Sequence, residues 1–252
     1  MIGTLGGMIG LGGAEFRLPL LIGLYGFSAL EAVILNKAMS LVVVASALPF
    51  RTATVPFSII AYHWTVIVNL LAGSLLGAWF GAGWATRLKS ETLYKMIAIL
   101  LMIISGVLLL GHDHGGAGQP FVSGPAQIGV GIVAGFVIGV VAALLGVAGG
   151  ELLIPTLLLV FGVDIKLAGS LSLAVSLPTM LMGFARYSRD HSFAVLSRSQ
   201  TFVIVMALGS FAGTFIGGRL LGLVPSSILV PLLSIILVLS AIKVFRVKSA
   251  DR

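Results

Sequence analysis

Four tracts of this chain, 96–110, 128–145, 202–215 and 228–242, contain no charged residue. Each is apolar on every face, which places a helix in lipid or deep inside a large protein. Crossing a bilayer as a helix takes about 20 residues. A chain of 252 residues with short loops therefore has room for roughly eight to ten spans or partial spans. A closed β-barrel is the other backbone solution in lipid, but its strands alternate in polarity and these tracts do not. Only 9% of the residues are charged, against about 25% in soluble domains. The expected fold class is all-α, a polytopic transmembrane helical bundle.

The longest polar stretch, HDHGGAGQP at 112–120, reads as a flexible linker, so no soluble domain is left over. Cysteine is absent, which removes disulfides, thiol nucleophiles and cysteine metal sites. The opening MIGTLGGMIG lacks a basic n-region, and a cleaved signal peptide is not expected. The net charge of +7 reads as a record of membrane topology rather than of nucleic-acid binding.

The chain repeats itself. GLGGAEFRLP at 10–19 and GVAGGELLIP at 146–155 share Gly, Gly, Glu and Pro at a spacing of 136 positions. The same spacing relates Gly26 to Gly162, Ser40 to Ser176, and Gly73, Gly77 and Gly81 to Gly209, Gly213 and Gly217. No gap is needed over roughly a hundred residues, and such repeats fix architecture. The expected organisation is a first repeat at 1–111, an extracytoplasmic linker at 112–125, a second repeat at 126–246 and a cytoplasmic tail at 247–252. Each copy reads as a glycine-rich apolar run, a Gly-Gly-Glu turn, a short apolar piece and three longer segments. Those segments lie near 33–49, 57–84 and 92–111, and near 168–185, 200–222 and 226–246. The short piece at 151–161 cannot cross as a helix, so it is expected to fold back on the preceding run as a broken, re-entrant hairpin. Copy one starts at the equivalent of Val137, about eleven residues into copy two, so either its start is truncated or its first helix is shorter.

Basic residues orient the copies. The 84–95 loop holds Arg87, Lys89 and Lys95, whereas 112–125 has no Lys or Arg. In copy two the bias reverses: the tail holds Lys243, Arg246, Lys248 and Arg252, and 218–227 holds only Arg219. The 186–198 loop carries Arg186, Arg189 and Arg198 against a lone Arg51 in its counterpart. Under the positive-inside rule the copies are expected to be inverted, with the C-terminus and the loops at 84–95 and 186–198 cytoplasmic, in the bacterial inner membrane. One hairpin plus three spans per copy gives the odd number of crossings that inversion requires. Inverted repeats with broken helices are a recurring design of secondary transporters.

The paired Gly-Gly-Glu turns carry the candidate site. A helix beginning at Glu151 turns its free amides and positive dipole end toward the centre, and glycines let an anion approach the backbone. The candidate anion ligands are Gly12, Gly13, Asn36, Lys37 and Ser40 in copy one, with Gly149, Gly150, Ser170, Ser172 and Ser176 in copy two. Glu15 and Glu151 are candidate proton-coupling groups, since a carboxylate at membrane depth is expensive and usually functional. The plainer reading stays open: a first-turn Glu suits the dipole, and the glycines serve a sharp turn. Arg17 is expected to snorkel toward an interface in preference to pairing with Glu15. The glycine ladders at 73–81 and 209–217 are expected to serve helix packing, and Trp64 and Trp84 to anchor span ends.

Enzyme signatures such as GxxxxGK[ST], HExxH and GxSxG are absent from the sequence. The glycines at 3–13 open no βαβ unit, so they do not read as a dinucleotide loop. No cofactor or resident metal is expected, and HDH at 112–114 is a weak metal motif. The expected partners are the lipid bilayer and a small inorganic or organic anion, not nucleic acid. Self-association as a homodimer is compatible with this class.

GVAGGELLIPTLLLVFGVDIKLAGSLSLAVSLPT at 146–179 resembles the signature of the TauE/SafE family of sulfite exporters. The family pattern is a glycine-rich turn, a short apolar run with Pro, a Gly, and a Gly-Thr-Ser-Leu-Ala-like element filled here by AGSLSLA at 168–174. GLGGAEFRLPLLIGLYG followed by NKAMSL resembles a divergent copy of the same pattern. The resemblance covers nearly the whole chain and implies export or exchange of sulfite, sulfoacetate or related organosulfonates. The chain departs from the pattern at Glu15 and Glu151, where many members carry Gly or an apolar residue. It departs again at Asn36 and Lys37, which replace small and hydroxyl residues.

The leading expectation is a secondary transporter exporting a small sulfur-containing anion, with a passive anion channel and a non-transporting membrane scaffold as alternatives. The charge bias is directly testable because the chain has no native cysteine. Single cysteines at Ser90 and Ser188 are expected to react with an impermeant maleimide from the cytoplasmic side alone, and one at Ser123 from the opposite side alone.

Overall fold

The computed structural model describes residues 14–52, 55–89, 91–92, 95–96, 99 and 122–220. Among these residues every regular element is helical. In chain order they are α1 (Ala14–Gly23), α2 (Ala29–Phe50), α3 (Phe57–Tyr62), α4 (Trp64–Ala85), α5 (Pro125–Leu145), α6 (Gly150–Phe161), α7 (Ile165–Tyr187), a 3-10 turn (His191–Ala194), α8 (Val195–Arg198) and α9 (Gln200–Leu220). Five of them, α2, α4, α5, α7 and α9, are long and apolar enough to cross a membrane. Most of the segment expected at 92–111, all of that at 226–246, and the linker as far as 121 fall outside the described residues.

The repeat seen in the sequence recurs in the element boundaries. α1 and α6 begin at Ala14 and Gly150, α2 and α7 at Ala29 and Ile165, α4 and α9 at Trp64 and Gln200. Each pair keeps the spacing of 136 positions. Local chemistry repeats with it. Gly26 and Gly162 end the short helices at φ +68° and +67°, a left-handed conformation that favours glycine. Two residues on, Ser28 and Asp164 cap the long helices. Ser28 holds Glu31 Oε2 through its backbone N–H and hydroxyl, and Asp164 Oδ1 accepts from the Lys166 and Leu167 amides. These are the N-terminal signals that a helix start requires. One expectation is corrected. The apolar segment at 57–84 is not continuous: it breaks at His63 into α3 and α4, and His63 Nδ1 lies 2.9 Å from the Ile59 carbonyl oxygen.

Packing follows backbone proximity. α4 and α5 run parallel, with Gly73, Gly77 and Gly81 pressed on the main chain of Ile132, Phe136 and Val140. α5 returns the arrangement, setting Gly135 against Leu70 and Gly139 against Ser74. A β-carbon at any of these five positions would lie under 3.0 Å from the opposing backbone. α2 and α7 run antiparallel. Arg51, just past the end of α2, donates to the Lys166 carbonyl (3.1 Å) and the Ser170 hydroxyl (3.2 Å) at the start of α7. Lys37, early in α2, lies against Gly183 and the Tyr187 ring late in α7. α4 and α7 are parallel, joined at Ser74–Thr179 (2.7 Å) and at Gly83–Arg186. α9 lies on α2, with Phe211 and Phe215 edge-on to Phe50.

The cross-section is inside-out relative to a soluble protein. Leu76, Phe80, Val133 and Leu208 stand exposed on the outer faces, while Arg17, Asn36, Lys37 and Arg51 are buried. Trp64 and Trp84 mark the two ends of α4 and are exposed, in keeping with interfacial anchoring.

The glycine contacts predict unequal tolerance. Gly77→Val and Gly135→Val should each force α4 and α5 apart and lower stability by about 2 kcal/mol or more. Among the described residues nothing lies within 4 Å of the missing β-carbon of Gly209, so Gly209→Val should leave stability within about 0.5 kcal/mol. Thermal unfolding of the three variants in detergent, read against the parent, checks the contrast.

Candidate functional site

In copy two the chain breaks and the short helix folds back on the preceding one, with Gln127 Nε2 donating to the Val160 carbonyl (2.7 Å). α5 stops at Leu145, residues 146–149 turn, and α6 departs from Gly150. Gly146 has φ +65° and Gly149 has φ +82°. A β-carbon at Gly146 would also run into the Val33 carbonyl of α2, so both conformation and contact require glycine there. A chain break of this kind exposes the last carbonyls of one helix and the first amides of the next. At membrane depth those groups must find partners inside the protein.

The carbonyls find side chains from α2 and α7. Tyr187 OH donates to the Ala143 carbonyl (2.8 Å) and Lys37 Nζ to that of Ala142 (3.4 Å). Asn36 Nδ2 donates to Leu145 (3.3 Å), and Ser176 Oγ to Ala148 (2.7 Å). All four donors are buried. Lys37 thus sits at the carbonyl end of α5, where a cation complements the helix dipole. Its ammonium also lies 5.9 Å from the Tyr187 ring centroid.

A second cluster is joined to the first through Asn36. Arg17, on the short helix α1, donates to Asn36 Oδ1 (3.3 Å), Ser40 Oγ (2.6 Å) and Ser210 Oγ (3.4 Å). The expectation that Arg17 snorkels to an interface is overturned, because it is 1% exposed and held by α2 and α9. Asn36 uses its oxygen for Arg17 and its amide for the turn, so one side chain ties the guanidinium to the helix break. Arg17, Asn36, Ser40, Ser210 and Ser176 form a polar layer. Ser40, Ser74, Ser176 and Ser210 each lie within a residue of the middle of α2, α4, α7 and α9.

The other residues singled out in the sequence fall as follows. Gly149 caps α6 and Gly150 is its first residue. Ser170 is bound to Arg51, near the start of α7 rather than in the middle layer. Ser172 donates to the Gly169 carbonyl of its own helix. Gly12 and Gly13 lie outside the described residues, as do the side chains of Glu15 and Glu151, whose backbones belong to the first turns of α1 and α6. Arg17, Ser210, Arg51 and Tyr187 were not singled out as site residues. One signal for Arg17 was available: it stands in an apolar helix opposite Leu153 of the other copy, where the repeat itself requires no charge.

The polar layer is rich in donors. A buried guanidinium presents a planar fork suited to oxyanions, and hydroxyls with helix-start amides extend the same polarity. Among the described residues no cluster of acidic or histidine side chains is arranged to hold a metal.

Asn36 is the test of the connection. Asn36→Leu removes both of its bonds and leaves buried polar groups without partners, at about 1–3 kcal/mol for each such group. Thermal unfolding should register a loss of about 2 kcal/mol or more. The control Thr156→Val, whose hydroxyl returns only to the Leu152 carbonyl of its own helix, should change stability by less than about 1 kcal/mol.

Comparison with known proteins agrees with this architecture. The family model described as Sulfite exporter TauE/SafE matches residues 1–109. The chain is also 26% identical over 238 residues to the Probable membrane transporter protein YunE of Bacillus subtilis (strain 168), covering 86% of this chain and 82% of the Bacillus protein. No solved structure matches. With five bilayer-length helices, this multi-pass membrane protein resembles the TauE/SafE family over residues 1–109.

Proposed function

We propose that the protein is a secondary transporter that exports a small sulfur-containing anion, such as sulfite, sulfoacetate or another organosulfonate, across the bacterial cytoplasmic membrane. The observation that carries this reading is the buried Arg17 guanidinium. It is set among Asn36, Ser40 and Ser210 halfway along the long helices and is tied through Asn36 to the helix break. A guanidinium in a low-dielectric interior is a strong ligand for a planar or pyramidal oxyanion. Arg17 is the principal anion ligand in this reading. Ser40, Ser176 and the amides following Gly149 and Gly150 complete the contacts, with Gly12 and Gly13 contributing from copy one. Lys37 adds positive potential from the end of α5. Ser170 and Ser172 take a secondary place, since their bonds lead to Arg51 and to their own helix.

The family description, Sulfite exporter TauE/SafE, supports both the substrate class and the outward direction. The antiparallel course of the repeat-related helices α2 and α7 supports two inverted halves, 1–111 and 126–246, with the site between them. Alternating access then follows from rocking one half against the other around a fixed site. In this reading Glu15 and Glu151 carry protons in the cycle, because a permanent carboxylate beside an anion site would oppose binding.

Purified protein in liposomes tests the proposal. Sulfite, sulfoacetate, another organosulfonate, sulfate and chloride are presented with and without a pH gradient. The expected result is saturable flux of a sulfur oxyanion that responds to the gradient. Arg17→Met should raise KM at least about tenfold, equivalent to about 1.4 kcal/mol of lost binding, while Glu151→Gln should abolish the pH response. Flux that fails to saturate would replace the transporter with a channel. Folded protein that moves none of these anions would reject the reading.

A further inference from the structure

A second cluster of cations lies away from the central layer, at the C-terminal ends of α4 and α7. Because these helices are parallel, their last turns emerge on one side and bring the 86–89 and 188–190 segments to the same face. Arg186 and Arg189 both stand over the ring of Trp79, with Cζ 5.1 Å and 5.2 Å from its centroid. Arg186 lies flat on α4 at Gly83, where the absent side chain leaves room for its guanidinium. Arg87 and Lys89 follow directly after α4 and are exposed.

Among the described residues neither Arg186 nor Arg189 meets a carboxylate or makes a hydrogen bond. The nearby acids are committed elsewhere: Asp190 accepts from the Ser192 amide, Glu31 pairs with Arg198, and Glu91 pairs with Lys95. Two guanidiniums gathered on one indole with ten N–H donors unspent form a receptor for a multidentate anion. The indole fixes both by cation–π attraction, and like charge at that spacing is relieved by a shared counter-ion.

The depth of the cluster selects the kind of anion. Trp79 lies six residues before Ala85, the last residue of α4, or about 9 Å inward along the helix. Its neighbours on α4, Leu76 and Phe80, are 58% and 62% exposed and face outward as lipid-contacting surface. Trp84, one turn beyond Phe80, is 48% exposed at the helix end. A free ion would have to leave water to reach the guanidiniums. The phosphodiester of a membrane lipid already resides at that level, with its acyl chains free to lie along Leu76 and Phe80. We infer that Arg186, Arg189 and Trp79 form a binding site for the phosphate of an anionic phospholipid, with Arg87 and Lys89 supplying longer-range attraction. The site is independent of the anion-transport reading, since it shares no residue with the central layer.

The experiment measures lipid retained by the purified full-length protein after delipidation and re-addition of a mixture of phosphatidylglycerol and phosphatidylcholine, read by native mass spectrometry. The parent should retain phosphatidylglycerol preferentially. Arg189→Gln, an exposed position that should fold normally, should weaken that preference about fivefold, the effect expected of one basic side chain at an anionic surface. Arg186→Gln/Arg189→Gln should remove it. Gly83→Leu, which displaces Arg186 while preserving every charge, should also weaken it, whereas Arg87→Gln/Lys89→Gln should have a smaller effect than Arg189→Gln. Inorganic phosphate at millimolar concentration should not displace the lipid. Equal retention by the parent and the Arg186/Arg189 double variant would overturn the site. Displacement by inorganic phosphate would overturn the lipid assignment in favour of a soluble anion.

Discussion

A helix interrupted in the buried interior of the bundle leaves carbonyls that water cannot reach, and the described part of the protein is organised around satisfying them. The break between α5 and α6 is closed by four side chains, Lys37, Tyr187, Asn36 and Ser176, on the carbonyls of Ala142, Ala143, Leu145 and Ala148. Two donors come from α2 and two from α7, so the break itself fixes how these helices cross. The Ala142 and Ala143 carbonyls also accept from the Val147 and Gly146 amides, whereas those of Leu145 and Ala148 rely on Asn36 and Ser176, and an unsatisfied buried carbonyl costs about 1–3 kcal/mol. The glycine contacts of α4 with α5 and the burial of polar residues on α2 are arrangements that hold this break in place.

The two copies are alike in backbone and unlike in charge, and the difference is concentrated where they meet. Helix starts, left-handed glycines and capping positions match at a constant spacing. The polar layer does not match. Arg17 stands where copy two has Leu153, Asn36 where it has Ser172, and Arg51 where it has Tyr187. Copy one thus supplies the cations and copy two the glycine turn and its hydroxyl partner. A repeat that had diverged only by drift would spread its differences evenly over lipid-facing and buried positions. Here the buried cations converge on α2 and α1, and the amide of Asn36 transmits that asymmetry to the other copy's turn.

The fold was largely legible because its signals are local. A spacing of 136 residues, a Gly before each long segment and the apolar runs that follow locate α2 and α7 to within about four residues. The hairpin was legible from length alone, since twelve residues of α6 are too few to span. What sequence did not reveal is radial. Arg17 reads as a snorkelling side chain because a helix of ten residues gives no indication of which face is turned inward. Only the contacts with Asn36 and Ser210 settle it. The break at His63 was missed for a related reason: the residues on either side are apolar, and no Pro or Gly punctuates them. Lys37 was legible as a candidate anion ligand, but the carbonyl it meets lies 105 residues away in α5.

Charge placement supplies the last constraint, because lipid penalises each unpaired ion severely. Two populations stand out among the described cations. Arg17, Lys37 and Arg51 are buried and bonded to hydroxyls, amides and helix carbonyls. Arg87, Lys89, Arg186 and Arg189 gather where α4 and α7 end. The parallel course of α4 and α7 makes the second population a single face, although its members belong to different copies. The positive-inside rule reads each basic loop separately, yet the structure joins them, and a joined basic face with aromatic anchors also meets the lipid surface chemically. Basic residues from both copies are therefore in position to meet one anionic lipid surface.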